Sequence, residues 1–418
     1  MDTPEGYFLS VSRFFITFVF SNHTCARHPY CFILLKTQPA LRENLLSASE
    51  MTMANETTPN TATAQDDKKK IVLSGIRATG NLHLGNYYGA LQKFVRMQDD
   101  YDCRFFIADL HALTTHPDPA ALHENVKQIL AEYLAAGLDP EKNTIYVQSD
   151  VPEISEMYLL MNMHVGIGEL MRTASFKDKA RKALGISTAD DSEDIEHQII
   201  GNQTNQRVNA GLLTYPTLMA VDILIHHADL VPVGKDQEQH LELTRRFARR
   251  FNSFYKTDYF SEPVNFNFGS EAVKVPGLDG SGKMGKSEGN CIYLIDDEKT
   301  LRKKVMRAVT DEGPKEPNQT PPIPIQNLFT LMELVSEPST LQFYKEAYAN
   351  CNIRYGDMKK QLAEDILKVT LPIRQRILDI RDNDEYLSRV VRQGAERARE
   401  YAAATLADVR GIMGIRKF

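Results

Sequence analysis

The 418-residue sequence predicts an α/β fold, a doubly wound parallel sheet followed by a helical C-terminal region. Three observations predict it. Residues 71–90, IVLSGIRATGNLHLGNYYGA, read as strand, glycine-framed loop and helix start. Strand and helix patterns then alternate to about residue 150, and after residue 300 glycine loops give way to long amphipathic helices.

The opening strand is the apolar run Ile71, Val72, Leu73, which follows three lysines. Gly75 and Gly80 frame the loop, and His83, Leu84, Gly85 and Asn86 open a helix carrying Leu91, Phe94 and Val95. Unsatisfied N–H groups and the positive end of a helix dipole converge at such a junction, so an anion belongs there. The spacing is not GxGxxG, and no Gly-Lys-Ser/Thr follows, which excludes the usual dinucleotide and phosphate-loop fingerprints. A helix over 84–97, a strand over 104–108, a helix over 121–136 and a strand over 144–147 continue the alternation. Ligands of such sheets sit at the strand carboxyl ends, where Asp109 and His111 fall. Residues 153–179 read as helical, with Met157, Leu160, Met161, Met163 and Leu170 as core. Residues 185–206 are polar, acidic and aperiodic, and are expected to form a mobile loop beside the site.

From Thr214 the chain reads TYPTLMAVDILIHHADLVPVGKDQEQHLELTRRFA. Pro216 is expected in a helical first turn, with Met219, Asp222 and Ile223 on one face. A carboxylate among apolar neighbours is costly unless something donates to it, and an indole N–H is purely a donor. Val231 and Val233 form the wall of the next strand. Residues 278–290, LDGSGKMGKSEGN, place Lys283 and Lys286 in a glycine-rich loop, suited to neutralising a phosphate chain as charge develops. Met358, Leu362, Ile366, Val369, Ile373, Ile377 and Ile380 form one C-terminal stripe, with a kink expected at Pro372. Tyr386, Leu387, Val390, Val391, Ala395, Ala398, Tyr401 and Ala402 form a second, and Arg374, Arg376, Arg389, Arg392, Arg397 and Arg399 lie on the polar sides.

Composition bounds the rest. With 42% apolar and 25% charged residues the chain is ordinary globular protein, long enough for two or three domains. A net charge of −6 argues against a general polyanion binder, so RNA binding needs a local basic face. Five cysteines without a CxxC pair imply a reducing compartment and no disulfide framework. The apolar run 8–20 is interrupted by Arg13 and is too short to cross a bilayer. His23, Cys25, His28 and Cys31 match no standard zinc spacing, and no metal site is expected. Residues 51–67 have the composition of a disordered linker, and translation is expected to begin at Met51 or Met53. The chain contains no tryptophan, which chance or drift explains as well as function does.

Jointly, HLGN at 83–86 and KMGKS at 283–287 resemble the HIGH and KMSKS signatures of class I aminoacyl-tRNA synthetases, and the stretch from Thr214 is similar to the bacterial tryptophan-specific branch. Tyrosine enzymes of the subclass commonly carry Gln after the methionine, where this chain has Ala220. The resemblance implies a Rossmann-like catalytic domain over 68–295, a helical anticodon-binding domain over 296–418 and an N-terminal extension, 1–67, outside both. It implies ATP contacts from Arg77, Ala78, Thr79, His83, Gly85, Asn86, Gly234, Lys235, Asp236, Val275, Lys283, Met284, Gly285, Lys286 and Ser287. Tryptophan would be held by Asp222, Met219, Ile223, Tyr215, His111, Val231, Val233 and Gln237, with Tyr215 and Gln237 on the α-amino group. Lys179, Lys283 and Lys286 are the implied catalytic cations, Mg²⁺ the accompanying ion, tRNA(Trp) the macromolecular partner, a homodimer the assembly and the cytoplasm the location. Arg77 stands where the bacterial enzymes usually have glutamine, and Gly285 where the signature has its middle serine. Two other classes share the signatures in part. A small-molecule nucleotidyltransferase would not need the helical extension, and a non-catalytic binding paralogue would usually lose the lysines.

Overall fold

The computed structural model describes residues 69–185, 208–234, 237–266 and 274–415. The expectations for the N-terminal extension, for nearly all of 185–206 and for Lys235 and Asp236 lie outside these residues.

Five parallel strands form one sheet: β1 (Ile71–Arg77), β2 (Asp102–Ala108), β3 (Thr144–Val147), β4 (Leu230–Val231) and β5 (Val264–Asn265), in the order β3-β2-β1-β4-β5. The order reverses between β1 and β4, and a crevice opens at the carboxyl ends of the strands at such a point. Side chains alternate across the sheet with period two. Val72, Phe105, Ile107 and Ile145 enter one core, and Leu73, Phe106, Ala108 and Tyr146 the other.

β1 is longer than its apolar run predicts, because pairing from Ile71 opposite Asp102 to Arg77 opposite Ala108 carries it through Ser74 and Gly75. The next helix, α1, has three parts, Leu84–Asn86, a π-helical turn at Tyr87–Leu91, and Gln92–Met97. α2 (Pro119–Ala136) is capped by Asp118, whose carboxylate accepts from the Ala121 N–H.

The single helix expected over 153–179 is three: α3 (Pro152–Asn162), a short turn at Ile167–Met171, and α4 (Ala174–Leu184). Thr173 starts the last, its hydroxyl accepting from the Phe176 N–H. The break turns Met163 outward, 70% exposed, where a core position was expected. α5 (Ala210–Ile225) begins six residues before Pro216, so this proline lies inside the helix rather than in its first turn. Burial of Pro216 and its neighbours outweighs the lost backbone bond. β4 stops at Val231, and Val233 lies beyond the strand, after Pro232, which has no N–H to continue the ladder. α6 (Glu238–Tyr255) follows.

The C-terminal region contains α7 (Glu298–Met306), α8 (Ile323–Val335), α9 (Pro338–Ala349), α10 (Tyr355–Arg381) and α11 (Asp384–Ile412). α10 runs through Pro372, whose ring is on the exposed side. Leu301, Leu362, Ile366, Ile377 and Leu387 belong to the same apolar cluster as Phe105 and Ile145 of the sheet. α11 lies directly on β3, and a Cβ at Gly394 would fall 1.7 Å from the Ile145 carbonyl oxygen, so only glycine allows this approach. Tyr401, expected on the buried stripe, is 43% exposed, but its ring covers the Arg104 guanidinium at 3.8 Å.

Candidate active site

The junction after β1 is built around His83. Its ring Nδ1 accepts from the Asn86 N–H at 3.3 Å while its own N–H donates to Asn86 Oδ1 at 3.1 Å, a reciprocal cap on the first turn of α1. Gly85 is required by that ring, since a Cβ there would lie 2.8 Å from it. Burial, with Lys286 and then Lys283 nearby, lowers the His83 pKa to about 4, so the imidazole is neutral at pH 7.

The lysine loop therefore sits against this helix start. Tyr293 bridges to His83, Leu84 N–H donates to the Ile292 carbonyl at 2.9 Å, and Leu294 N–H to the Leu82 carbonyl at 2.9 Å. Lys286 Nζ donates to the Gly80 carbonyl at 2.7 Å and more weakly to that of Thr79 at 3.4 Å. Met284 is buried, and its N–H donates to the Val275 carbonyl at 2.9 Å. Asn290 ties the loop together, donating to Asp279 Oδ1, Ser281 Oγ and the Lys283 carbonyl and accepting from Gly285 N–H. Lys283 and Ser287 are exposed. Beneath the junction, Glu132 of α2 accepts from Leu82 N–H at 2.9 Å and from Gln128 at 2.9 Å, and burial raises its pKa to about 7.

A second group of residues lies across the sheet's carboxyl edge. Asp222 of α5 is 1% exposed, and its two oxygens accept from Gln148 Nε2 at 2.8 and 2.9 Å. His111 Nε2 is 3.0 Å from one of them. Burial pushes the Asp222 pKa up, with the bonds from His111 and Gln148 opposing it. The sequence reading of an acid with only apolar neighbours is thus corrected, since two protein groups already face it. Met219 and Val233 pack at the edge of the apolar cluster that contains Ile223 and Val231.

Tyr215 lies beside this second group. Its ring lies edge-on to His111, with centroids 6.5 Å apart, and Lys179 Nζ of α4 sits 3.4 Å above its centroid. Burial and then Arg77 lower the Lys179 pKa to about 8. Arg77 donates to the His111 carbonyl at 3.3 Å, and burial lowers its pKa too. Ala78 is buried beside it, Thr79 is exposed, and Gly234 is exposed with its carbonyl accepting from Gln237 N–H at 2.9 Å.

Gln148, His240 and Glu132 escaped the sequence reading. Gln148 follows the predicted strand 144–147 at its carboxyl end, and that position alone marks it for attention.

Residues 65–370 match the family model for class I tRNA synthetases of the W and Y type. The chain belongs to that family. It is 60% identical over 345 residues to the tryptophan–tRNA ligase of Porphyromonas gingivalis, covering 82% of this chain and 99% of that one. It is 39% identical to the enzyme of the same name from Fusobacterium nucleatum, covering 82% and 97%. Among solved structures it is similar to the Campylobacter jejuni tryptophanyl-tRNA synthetase complexed with ADP and tryptophan, with a TM-score of 0.70, 31% identity and 82% and 99% coverage. A likeness to an Archaeoglobus fulgidus tyrosyl-tRNA synthetase, at 18% identity and a TM-score of 0.50, is one of fold.

Proposed function

We propose that this protein is a tryptophan–tRNA ligase of the class I synthetase family, which joins L-tryptophan to tRNA(Trp) in two steps at the expense of ATP. The observation that carries the reading to tryptophan is Asp222, an acid only 1% exposed and 3.0 Å from His111. An indole N–H only donates and so suits such a carboxylate, whereas a phenol both donates and accepts. The relatives named tryptophan–tRNA ligase support the same substrate.

In the first step a carboxylate oxygen of tryptophan attacks the α-phosphorus of ATP in line, forming the P–O bond of the adenylate as pyrophosphate leaves. In the second, a terminal ribose hydroxyl of the tRNA attacks the adenylate carbonyl, and AMP leaves. Neither step needs a side-chain nucleophile, so catalysis is positioning and charge stabilisation. We assign His83, Gly85, Asn86, Ala78, Thr79, Gly234, Val275, Met284, Gly285 and Ser287 to the nucleotide site. Lys179, Lys283 and Lys286, joined by Arg77, offset the charge that builds on the phosphates. Met219, Ile223, Val231 and Val233 wall the indole, and Tyr215 and Gln237 receive the α-amino group. Magnesium would arrive on the nucleotide. Among the described residues no group of three or more His, Cys, Asp or Glu is placed to hold a metal ion, and phosphate oxygens and water are its ordinary ligands.

The arginines of the helical region divide. Arg374, Arg376 and Arg397 donate to the carbonyls of Ile295, Ala135 and Pro140, and Arg399 pairs with Glu153, so these four fasten α10 and α11 to the catalytic region. Arg389 and Arg392 are exposed on α11 and are the better candidates for RNA phosphate. A homodimer fits the exposed apolar side chains Met163, 70% exposed, and Phe254, 69% exposed and packed against the His164 ring. No helix among the described residues is long and apolar enough to cross a membrane, and the cytoplasm is the proposed location. Charging of tRNA with tritiated tryptophan, unaffected by excess tyrosine, is the expected result. Tryptophan-dependent ATP–pyrophosphate exchange without charging would favour a nucleotidyltransferase instead.

A further inference from the structure

Three side chains from three helices meet on the buried ring of His240. Tyr215 Oη of α5 is 2.7 Å from Nε2, Ser175 Oγ of α4 is 2.8 Å from the same nitrogen, and Gln237 Oε1, at the cap of α6, is 2.9 Å from Nδ1. We infer that His240 is a positioning residue for tryptophan's α-amino group, holding Tyr215 and Gln237 at a fixed separation with their oxygens directed as acceptors. The inference rests on the reading that those two residues receive that group.

The direction of each bond follows from what the atoms are able to do. A carboxamide oxygen only accepts, so His240 Nδ1–H donates to Gln237 Oε1. In the neutral ring, Nε2 then carries a single lone pair, which accepts from the nearer hydroxyl, that of Tyr215 at 2.7 Å, with Ser175 Oγ beside it at 2.8 Å. The Tyr215 hydrogen is thereby spent on His240, and the phenol oxygen meets the pocket through its lone pairs. An ammonium has only hydrogens to offer. Each oxygen carries two lone pairs, so accepting or donating one bond on the His240 side is compatible with accepting an ammonium proton as well.

With another residue at 240 the Tyr215 hydroxyl would rotate, and half of its orientations would turn a hydrogen towards the ammonium. Lys179 over the Tyr215 ring and Arg77 beside it make that correction matter, because the pocket already holds two cations close to where a third must bind. His240 touches no proposed substrate atom. It acts through two oxygens.

The test uses the full-length enzyme and competitive inhibition of tryptophan-dependent ATP–pyrophosphate exchange by two ligands. Tryptamine keeps the amine, and indole-3-propionate lacks it. His240→Phe is expected to weaken tryptamine, and to raise the tryptophan KM, by about tenfold, the cost of one misdirected charge-assisted bond. Indole-3-propionate and the ATP KM are expected to move less than about twofold, within the loss of one weak neutral bond. His240→Asn retains an amide N–H near the Nδ1 position and removes the acceptor at Nε2. It is expected to show the same selectivity with a smaller factor, and serves if the Phe variant does not fold. Equal weakening of both inhibitors would overturn the inference, since a loosened helix contact would not distinguish them. Unchanged tryptamine binding in both variants would overturn it too. Tyr215→Phe separates the two levels of the argument. If it leaves tryptamine binding intact, the reading of Tyr215 fails; if it weakens tryptamine while the His240 variants do not, only the role of His240 fails.

Discussion

Replacing Gln148 by methionine removes two hydrogen bonds to a buried carboxylate and a longer one, at 3.4 Å, that Gln148 Oε1 accepts from the His111 N–H. Gln148 is fully buried, and its Nε2 donates to both Asp222 oxygens at 2.8 and 2.9 Å. Methionine has nearly the same length and adapts to its surroundings. A hydrogen bond to a charged group contributes about 1.5–3 kcal/mol, but the two share one donor atom, and His111 at 3.0 Å remains. A net loss of about 1.5–3 kcal/mol converts to a roughly 10- to 150-fold rise in the tryptophan KM. Asp222 already has a raised pKa, and losing Gln148 raises it further. The defect should therefore be largest at pH 6 and shrink as pH rises and the carboxylate ionises. ATP–pyrophosphate exchange between pH 6 and 8.5 reads this directly, with the ATP KM and the rate at saturating tryptophan as internal controls. A tryptophan KM unchanged at every pH, or an ATP KM that rises in step with it, would refute the reasoning.

Other substitutions probe other parts of the site. Lys286→Ala removes the ammonium beside Gly80 and should slow exchange by about 10²- to 10³-fold while tryptophan affinity, measured by equilibrium dialysis, stays nearly intact. Glu132, raised to about 7 from an unfolded value of 4.5, holds its proton longer in the folded state, so its contribution to stability is present below about pH 4.5 and lost as pH rises to about 7. Urea unfolding of Glu132→Gln should show that loss removed, by about 3 kcal/mol at most. His226, lowered to about 3, behaves oppositely. It is neutral in the fold, where Arg104 donates to its Nδ1 and its carbonyl, so stability is present above about pH 6.5 and lost as pH falls towards 3, a slope His226→Asn should flatten. Arg392→Glu should raise the tRNA KM and reduce its salt dependence while leaving exchange unchanged, whereas Arg376→Ala, which detaches α10 from Ala135, should lower the unfolding midpoint instead.

Much of this was legible in the sequence because period and punctuation are local. The strand over 144–147 matches β3 residue for residue, and the stripes beginning at Met358 and Tyr386 follow the buried faces of α10 and α11, with Tyr401 the exposed exception. The two signatures, 200 residues apart, meet at His83 as their chemistry requires. What escaped was decided by tertiary contact. β1 continues past its apolar run because β2 pairs with it, Pro216 is tolerated mid-helix by the burial around it, and Met163 faces outward because the chain breaks there. Gln148 and His240 were illegible for a further reason. A lone glutamine or histidine carries no periodic signal, and its importance lies in what stands opposite it in space.

Whether Asp222 holds the indole nitrogen is measured most directly by comparing L-tryptophan with its benzothiophene analogue, in which sulfur replaces the ring N–H. In the unaltered enzyme, exchange should prefer tryptophan by about 100-fold or more, as expected when a buried carboxylate loses its donor. Asp222→Asn should lower kcat/KM for tryptophan by at least about tenfold and leave the analogue nearly unchanged, compressing the preference. An undiminished preference in Asp222→Asn, or equal losses for both substrates, would show that the indole is recognised elsewhere.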